Sequence, residues 1–476
     1  MRFIFPIIFS LSTIFLGTGI LVYTLIIATT LYCLEKGDRF LPLALFFGLL
    51  YLLPYSLNQI VLGYNWGSYL DNNFLAGVPL YVTLPLYFNK RSPLNKKLRI
   101  ILALFLVAFL VSTVVPGFLS LVGLGGYKVR FSLTLTYFNS FLVGVLAYTV
   151  FTSEKNIARF TDLIMLLGII VAVGGFLQLI FGPFFYSPVG LPPNRLITIP
   201  RTNAVALYPL FIVPFAFALN QLSSRYFRKK ALAHLTVSIL FVASILTWSR
   251  WGNFVLLIMI LSYLIITKKS RKFFVILAIV TIAVSYIISE DLFLQIVPGQ
   301  QVERFSTMTN LYTRITLWGM GLSLLIDVWL FGIGVGNTVK LLFTYSPHPI
   351  MSDYYQVGFD FSIMQSVHQF FLDWFINQGI TAMLGLAGLY YYIIKHFRYL
   401  EKYFNNDVIR RFSRSIFLAL LGLSLYWMQN SGDGYYFLFL FLGSSFAIRK
   451  LALMSHMEEV SKTGERTGRN LSQALQ

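Results

Sequence analysis

Residues 231–266 read ALAHLTVSILFVASILTWSRWGNFVLLIMILSYLII, two apolar runs that meet at a short polar turn. Each run can form a helix that crosses most of a hydrocarbon core about 30 Å thick. The turn carries one arginine, Arg250, between Trp248 and Trp251, and no acidic residue lies near it in the sequence. The stretch predicts a helical hairpin in a membrane and leaves open why a cation stands at its tip.

Apolar runs of this kind recur along the chain. Of its 476 residues, 57% are hydrophobic and 12% are charged, whereas a soluble domain carries about 25% charged residues. We therefore predict an all-α, polytopic integral membrane protein with about 12–14 transmembrane helices. The one cysteine, Cys33, provides for no internal disulfide and no cysteine-based metal site.

The apolar pattern also divides the chain. Residues 1–33 are predicted to form two short membrane helices or a helical hairpin, because one helix of that length would overrun the membrane. Transmembrane helices are predicted in 34–289 and 369–450, a long extracytoplasmic loop containing helices in 290–368, and a disordered cytoplasmic tail in 451–476. The individual spans are predicted near 40–63, 74–88, 99–115, 132–151, 160–182, 204–220, 231–248, 252–267, 273–289, 369–395, 412–429 and 434–448.

The net charge of +19 is explained by membrane topology. Nearly all lysines and arginines fall in alternate connections, such as NKRSPLNKKLR, SSRYFRKK and KKSRK. Short cytoplasmic loops collect such residues, so these connections and both termini are predicted to be cytoplasmic. The charge therefore gives no reason to expect a nucleic-acid partner.

Few cations remain on the predicted outer side, and the arginines among them are candidate anion ligands. An arginine fork matches the geometry of a phosphate, so several arginines at an outer membrane surface indicate a phosphate or diphosphate substrate. The alternative is that each arginine reaches lipid phosphates at the interface. The arginines on this side are Arg130, Arg195, Arg201, Arg250, Arg304 and Arg314.

His368 is a candidate general base. It is predicted at the point where the long loop re-enters the membrane, in MQSVHQFFLDWFINQG. A neutral imidazole there is suited to accept a proton near pH 7, while the alternative is a histidine that caps a helix. His348, Asp353, Asp360 and His368 match no metal-ligand spacing, so no metal is predicted. The glycines of FGIGVGN, residues 331–337, indicate a tightly packed turn and not a dinucleotide site.

Three segments together resemble the O-antigen ligase and polymerase superfamily. They are LTWSRWGNFVLL, similar to an S-R-G element before a helix; YTRITLWGMGLSLLIDVWLFGIGVGN, similar to an external helix and glycine turn; and VHQFFLDWFINQGITAMLGL, similar to a histidine-led helix. RLITIPRTNAVALYPLF is a weaker fourth match. Four positions depart from the pattern. Trp251 stands where the family has glycine, with Gly252 one residue later, and Gln369 replaces an asparagine. Trp329 stands where a proline precedes the turn, and Arg201 stands where an asparagine or glycine is more usual.

The resemblance implies a membrane glycosyltransferase that uses neither metal nor other cofactor. Its donor would be an oligosaccharide on undecaprenyl diphosphate, and the glycan would move to an acceptor hydroxyl at the outer face of the bacterial cytoplasmic membrane, with inversion at the anomeric carbon. By position in the motifs, His368 would be the catalytic base, and Arg250 and Arg314 would bind the diphosphate. Arg195, Arg201, Arg304 and Trp251 are possible further substrate contacts.

Within the family, the sequence favours a surface-polysaccharide polymerase over a ligase that transfers to lipid A–core, because the motif departures indicate a divergent member. Membrane lipids and a chain-length regulator protein are the further partners expected of a polymerase. A flippase or exporter of lipid-linked glycans would share the apolar composition, but no paired halves are visible in the sequence, and such a transporter has no need of the long loop. A peptidoglycan polymerase of the shape-and-division family fits the motif order less well.

Overall fold

A computed structural model gives the fold. It describes residues 27–32, 35, 38–52, 72–83, 94–121, 131–181, 204–247, 249–268, 309–334, 369–404, 406–428 and 435–463. His368, Arg195, Arg201 and Arg304 lie outside these ranges, as do predicted span 273–289 and most of the predicted long loop.

The described elements are helices. In chain order they are α1 (Phe40–Leu52), α2 (Asn72–Val82), α3 (Lys96–Leu121), α4 (Phe131–Val150), α5 (Glu154–Phe181), α6 (Ala204–Gln221), α7 (Phe227–Leu246), α8 (Arg250–Ile266), α9 (Thr309–Val328), α10 (Phe370–Tyr403), α11 (Asp407–Trp427) and α12 (Tyr435–Thr463).

These helices are apolar enough to confirm the predicted fold class. By length and composition, three helices in the described part of the chain can cross a membrane: α5, α7 and Tyr435–Ser455 of α12. Several shorter apolar helices accompany them, including most of α1, α6 and α8. The protein is therefore all-helical and built as a polytopic membrane protein, while the full number of spans stays a prediction.

One continuous apolar core joins most of the bundle. The most extensive packing is between α4 and α12, followed by α6 with α11 and α3 with α10. Aromatic side chains fill much of this core, and Phe160, Phe217 and Phe412 form an edge-to-face group that links α5, α6 and α11. α11 thus lies in the interior, against both the α6 and α10 sides of the bundle.

The connections that the sequence predicts to be cytoplasmic meet at one end of the bundle, here called the basic end. Arg159 near the start of α5 lies 3.8 Å from Asp38, which precedes α1. Asn406, between α10 and α11, donates a hydrogen bond to Glu154 at the start of α5. The opposite end holds the 247–253 turn, the start of α10 and the end of α11. Which end faces the cytoplasm stays a prediction.

Two helices extend furthest beyond the predicted boundaries. α10 continues past residue 395 to Tyr403, and α12 continues to Thr463, so residues 451–463 of the predicted disordered tail are helical. Hydropathy marks the apolar part of a helix but not its polar continuation. In the sequence, Glu458 and Lys462 have the i, i+4 spacing that supports such a continuation, and Gly464 follows the last helical residue.

Candidate functional site

The turn that carries Arg250 is an ordered helix start. Ser249 caps α8, since its hydroxyl oxygen accepts a hydrogen bond from the Gly252 N–H at 3.3 Å. Arg250 is the first residue of α8, so its backbone position is fixed by this cap. The cap explains the serine of the S-R motif: it satisfies a backbone donor that would otherwise be unpaired at the helix end.

Tyr208 of α6 is hydrogen-bonded to the same turn. Its fully buried side chain hydrogen-bonds the Thr247 hydroxyl at 2.6 Å and donates to Asn253 Oδ1 at 3.3 Å. Ser244, in the last turn of α7, also hydrogen-bonds Asn253. The network joins α6, α7 and α8 at one point, so the chain around Arg250 is tied to three helices.

Gly252 is the position where this packing needs a glycine. A Cβ atom built on Gly252 would overlap the ring of Tyr208. The tyrosine ring therefore occupies the volume that a side chain at 252 would take. This contact gives a physical reason for a glycine at 252, one residue later than the glycine of the family motif.

Trp251 connects the start of α8 with the end of α11. Its indole Nε1–H donates to the Leu425 carbonyl oxygen at 2.8 Å, and its ring stacks on Phe254 with centroids 5.2 Å apart. The indole N–H is thus engaged within the protein, and the side chain packs against the core. A contact between Trp251 and substrate, if made, would use the remaining ring surface.

The start of α10 is fixed in the same region. Gln369 caps the helix, with its side-chain oxygen accepting from the Leu372 N–H. The next residue, Phe370, stacks on Trp427 at the end of α11, with centroids 4.4 Å apart and an interplanar angle of 15°. Gln369 thereby supplies the acceptor role that a capping asparagine would have. In the sequence, His368 directly precedes this anchored start.

An aromatic cluster packs against the first turn of α10. Trp374 contacts Phe370 and Tyr435 edge to face, with centroids 4.8 Å and 5.2 Å away, and its N–H donates to Gln378 Oε1 at 2.6 Å. Tyr137 of α4 packs on Tyr435 at 4.7 Å. The cluster anchors the first turn of α10 to α4, α11 and α12.

A glycine turn docks α9 onto a kink in α10. After α9, the Ile333 N–H donates to the Ile376 carbonyl at 3.0 Å, and the Gly334 N–H donates to the Asn377 carbonyl at 2.9 Å. Gly379 has φ +70°, a conformation inside α10 that frees these carbonyls from the regular helix pattern. The prediction that FGIGVGN forms a tightly packed turn is confirmed for its described residues.

Arg314 lies on α9, five residues after the helix begins, and is partly buried. Further along α9, Met320 and Leu324 pack with Ile333 and Ile376 in a small separate core. The structure thus connects Arg314, through α9 and its docked turn, to the N-terminal half of α10.

The C-terminal end of α11 is the common neighbour of two motif segments. Leu425 contacts the start of α8, and Trp427 contacts the start of α10. The starts of α8 and α10 therefore meet at one helix end, which places the segment that bears Arg250 and the segment that follows His368 at the same end of the fold. No cluster of three or more histidine, cysteine, aspartate or glutamate side chains suited to a metal occurs among the described residues.

Comparison with known proteins identifies the segment that carries these features. Residues 235–387 match the model of the O-antigen ligase family (Wzy_C). The match covers about a third of the chain and includes Arg250, Arg314 and His368. No curated protein matches the chain. The resemblance predicted from the motifs is confirmed over this segment, which is similar to the O-antigen ligase family.

Proposed function

We propose that this protein moves a glycan from undecaprenyl diphosphate to an acceptor hydroxyl at the outer face of the cytoplasmic membrane, as a surface-polysaccharide polymerase. One observation carries the proposal: the family match spans three motifs, and the starts of the two helices that bear Arg250 and follow His368 are both fixed on the end of α11. The match also favours an enzyme over a flippase.

Arg250 and Arg314 have the role of stabilising the leaving diphosphate. When the bond between the anomeric carbon and the diphosphate oxygen breaks, that oxygen gains negative charge. Preorganised cations stabilise this charge more in the transition state than in the ground state. The cap at Ser249 and the Tyr208 network hold the backbone of Arg250 in place, which supports such preorganisation.

His368 has the role of the base. The acceptor hydroxyl oxygen forms the new bond to the anomeric carbon, the hydroxyl proton passes to His368, and the electron pair of the broken bond leaves with the diphosphate. Direct displacement of this kind inverts the anomeric centre and needs no metal. The polyprenyl chain of the donor stays among the lipids beside the apolar helices, and the sugars extend outward.

The partners and location follow from this reaction. The donor is an undecaprenyl-diphosphate-linked oligosaccharide, the acceptor is a second lipid-linked glycan, and a chain-length regulator protein is an expected partner. Both termini are proposed to be cytoplasmic, with the α11 end near Trp251 and Trp427 facing outward. Arg195, Arg201 and Arg304 are proposed as further contacts to the donor.

Transfer by the purified protein in lipid, with a defined lipid-linked repeat unit as substrate, tests the assignment. We expect His368→Ala to lower the rate by about 10²–10⁴-fold and Arg250→Ala or Arg314→Ala by about 10²–10³-fold. Arg228→Ala, an exposed change at the basic end, is the control with matched charge loss. Full activity of His368→Ala would remove the base assignment, and loss of activity in EDTA would show that a metal takes part.

A ligase is the second candidate, and the name of the matching family favours it, since the family is described as O-antigen ligase. The two functions share donor, leaving group and base, and differ only in the acceptor. Product analysis separates them: a ladder of lengthening glycans on the lipid carrier identifies a polymerase, while transfer to lipid A–core alone identifies a ligase.

A further inference from the structure

An open cavity lies at the basic end of the bundle, on the other side of the fold from the candidate active site. It has a volume of about 480 Å³ and lies where α6, α8 and α10 end and α11 begins. Its lining residues are Ser223, Ile266, Thr267, Lys268, Glu401, Arg410 and Arg414. None of them belongs to the three motif segments.

The cavity holds an excess of positive charge. Among the described residues that line the cavity, Glu401 is the one carboxylate, and Arg414 donates two hydrogen bonds to it, of 2.8 Å and 2.7 Å. Arg410 also reaches Glu401, at 3.5 Å. One carboxylate thus faces three lining cations, because Lys268 is the third.

One of these cations has a buried hydrogen-bond donor without a partner, and another is fixed beside it by its backbone. The Nε atom of Arg410 is buried and has no hydrogen-bond partner among the described residues. A buried guanidinium donor without an acceptor is unfavourable, so an acceptor in the cavity would stabilise it. Lys268 is held at the cavity by its backbone, which has φ +56° and donates its N–H to the Ile265 carbonyl at the end of α8.

The surroundings do not neutralise this charge. Arg411 is next to the cavity residue Arg410, and its guanidinium is already paired with Asp407 and Gln221. Its burial, together with the positive charge of Arg225, lowers the pKa of the Arg411 guanidinium. In the sequence, no acid follows Lys268 before Glu290. The region is therefore electropositive beyond the cavity itself.

The two hydroxyl groups that line the cavity contribute less than the cations to binding an anion. The Thr267 hydroxyl donates to the Tyr263 carbonyl at 2.8 Å, and the Ser223 hydroxyl donates to the Asn220 carbonyl at 3.3 Å. Because both protons are engaged by the helices themselves, the two cations carry the recognition of any anion. Thr267 therefore offers a control position inside the same cavity.

We propose that this cavity binds an anion that carries a phosphate group, through Arg410 and Lys268. A guanidinium N–H and an ammonium are charge-assisted donors suited to phosphate oxygens. Large apolar side chains near the lining residues in the sequence are exposed: Ile265, beside Ile266, is 65% exposed, and Phe227, four residues after Ser223, is 83% exposed. That neighbourhood suits a phospholipid headgroup, and free phosphate is the other source of the same chemistry.

Lipid retention and phosphate binding by the full-length protein test the proposal. The protein is placed in nanodiscs of phosphatidylcholine with a minor fraction of phosphatidylglycerol, extracted mildly, and its bound lipid is counted by native mass spectrometry. In a second arm, inorganic phosphate is titrated in detergent and the thermal unfolding midpoint is followed, with chloride at equal ionic strength as reference. We expect Lys268→Gln and Arg410→Gln each to weaken anion binding about tenfold or more.

Three variants make the outcome decisive. Arg228→Gln removes an exposed charge at the same end, and Thr267→Val alters the cavity without removing charge, so both should bind as wild type. Lys268→Gln changes an exposed side chain, so it keeps the test valid where Arg410→Gln unfolds. Selective phosphatidylglycerol retention identifies a lipid site, and a phosphate-specific shift identifies a soluble ligand. Equal loss in Arg228→Gln, no anion preference in either arm, or binding of an acidic peptide alone would overturn the proposal.

Discussion

At the scale of single residues, Gly252 of the S-R motif segment is the position where close packing against Tyr208 requires a glycine. Gly252→Ala places a methyl group on the Tyr208 ring and should displace the hydroxyl that holds Thr247. Overpacking of this kind costs about 1–3 kcal/mol, so we expect a lower thermal unfolding midpoint and reduced glycan transfer. Gly48→Ala is the matched control, because no atom lies within 4 Å of the place its methyl group would take in α1. Equal behaviour of the two variants would contradict the packing argument.

The sequence predicted the roles of Arg250, Arg314 and His368 from motif order, but not what holds them. Tyr208 contacts Ser244, Thr247 and Asn253 across separations of 36, 39 and 45 residues. No local pattern reveals such a contact, because it depends on how α6 packs against the hairpin of α7 and α8. The sequence feature that could have indicated this contact is the weak fourth motif, RLITIPRTNAVALYPLF, which contains Tyr208.

At the scale of elements, the kink in α10 decides where α9 docks. Gly379→Ala puts a side chain at φ +70° and ψ −167° and against the Leu330 carbonyl, a backbone conformation that costs a non-glycine residue about 1–3 kcal/mol before any clash. We expect the turn after α9 to undock, with faster amide hydrogen exchange at Ile333 and Gly334 and lower transfer activity. Gly388→Ala, in a regular part of α10, meets Ile101 only at 3.4 Å and should leave that exchange unchanged.

The sequence predicted the positions of those helices that are apolar along their whole length. Spans predicted at 231–248 and 252–267 are observed as α7 and α8 within a few residues. The predictions stopped short for α10 and α12, where helix continues into polar sequence beyond the membrane-length window. Hydropathy indicates which part of a helix lies in lipid, whereas backbone hydrogen bonding determines where the helix ends. At the basic end, α10 and α12 continue past the last residue of their apolar segments.

At the scale of the whole molecule, the gathering of basic connections at one end predicts its orientation in the membrane. Tyr403, the last residue of α10 at the basic end, is 61% exposed, and Met428, at the far end of α11, is 51% exposed. With Cys33 changed to serine, each can carry a single cysteine. Because lysine and arginine remain on the cytoplasmic side, an impermeant maleimide should label Met428→Cys on intact spheroplasts, but Tyr403→Cys only after permeabilisation. The reverse pattern would place the Arg250 turn inside the cell and would rule out a donor bound at the outer face.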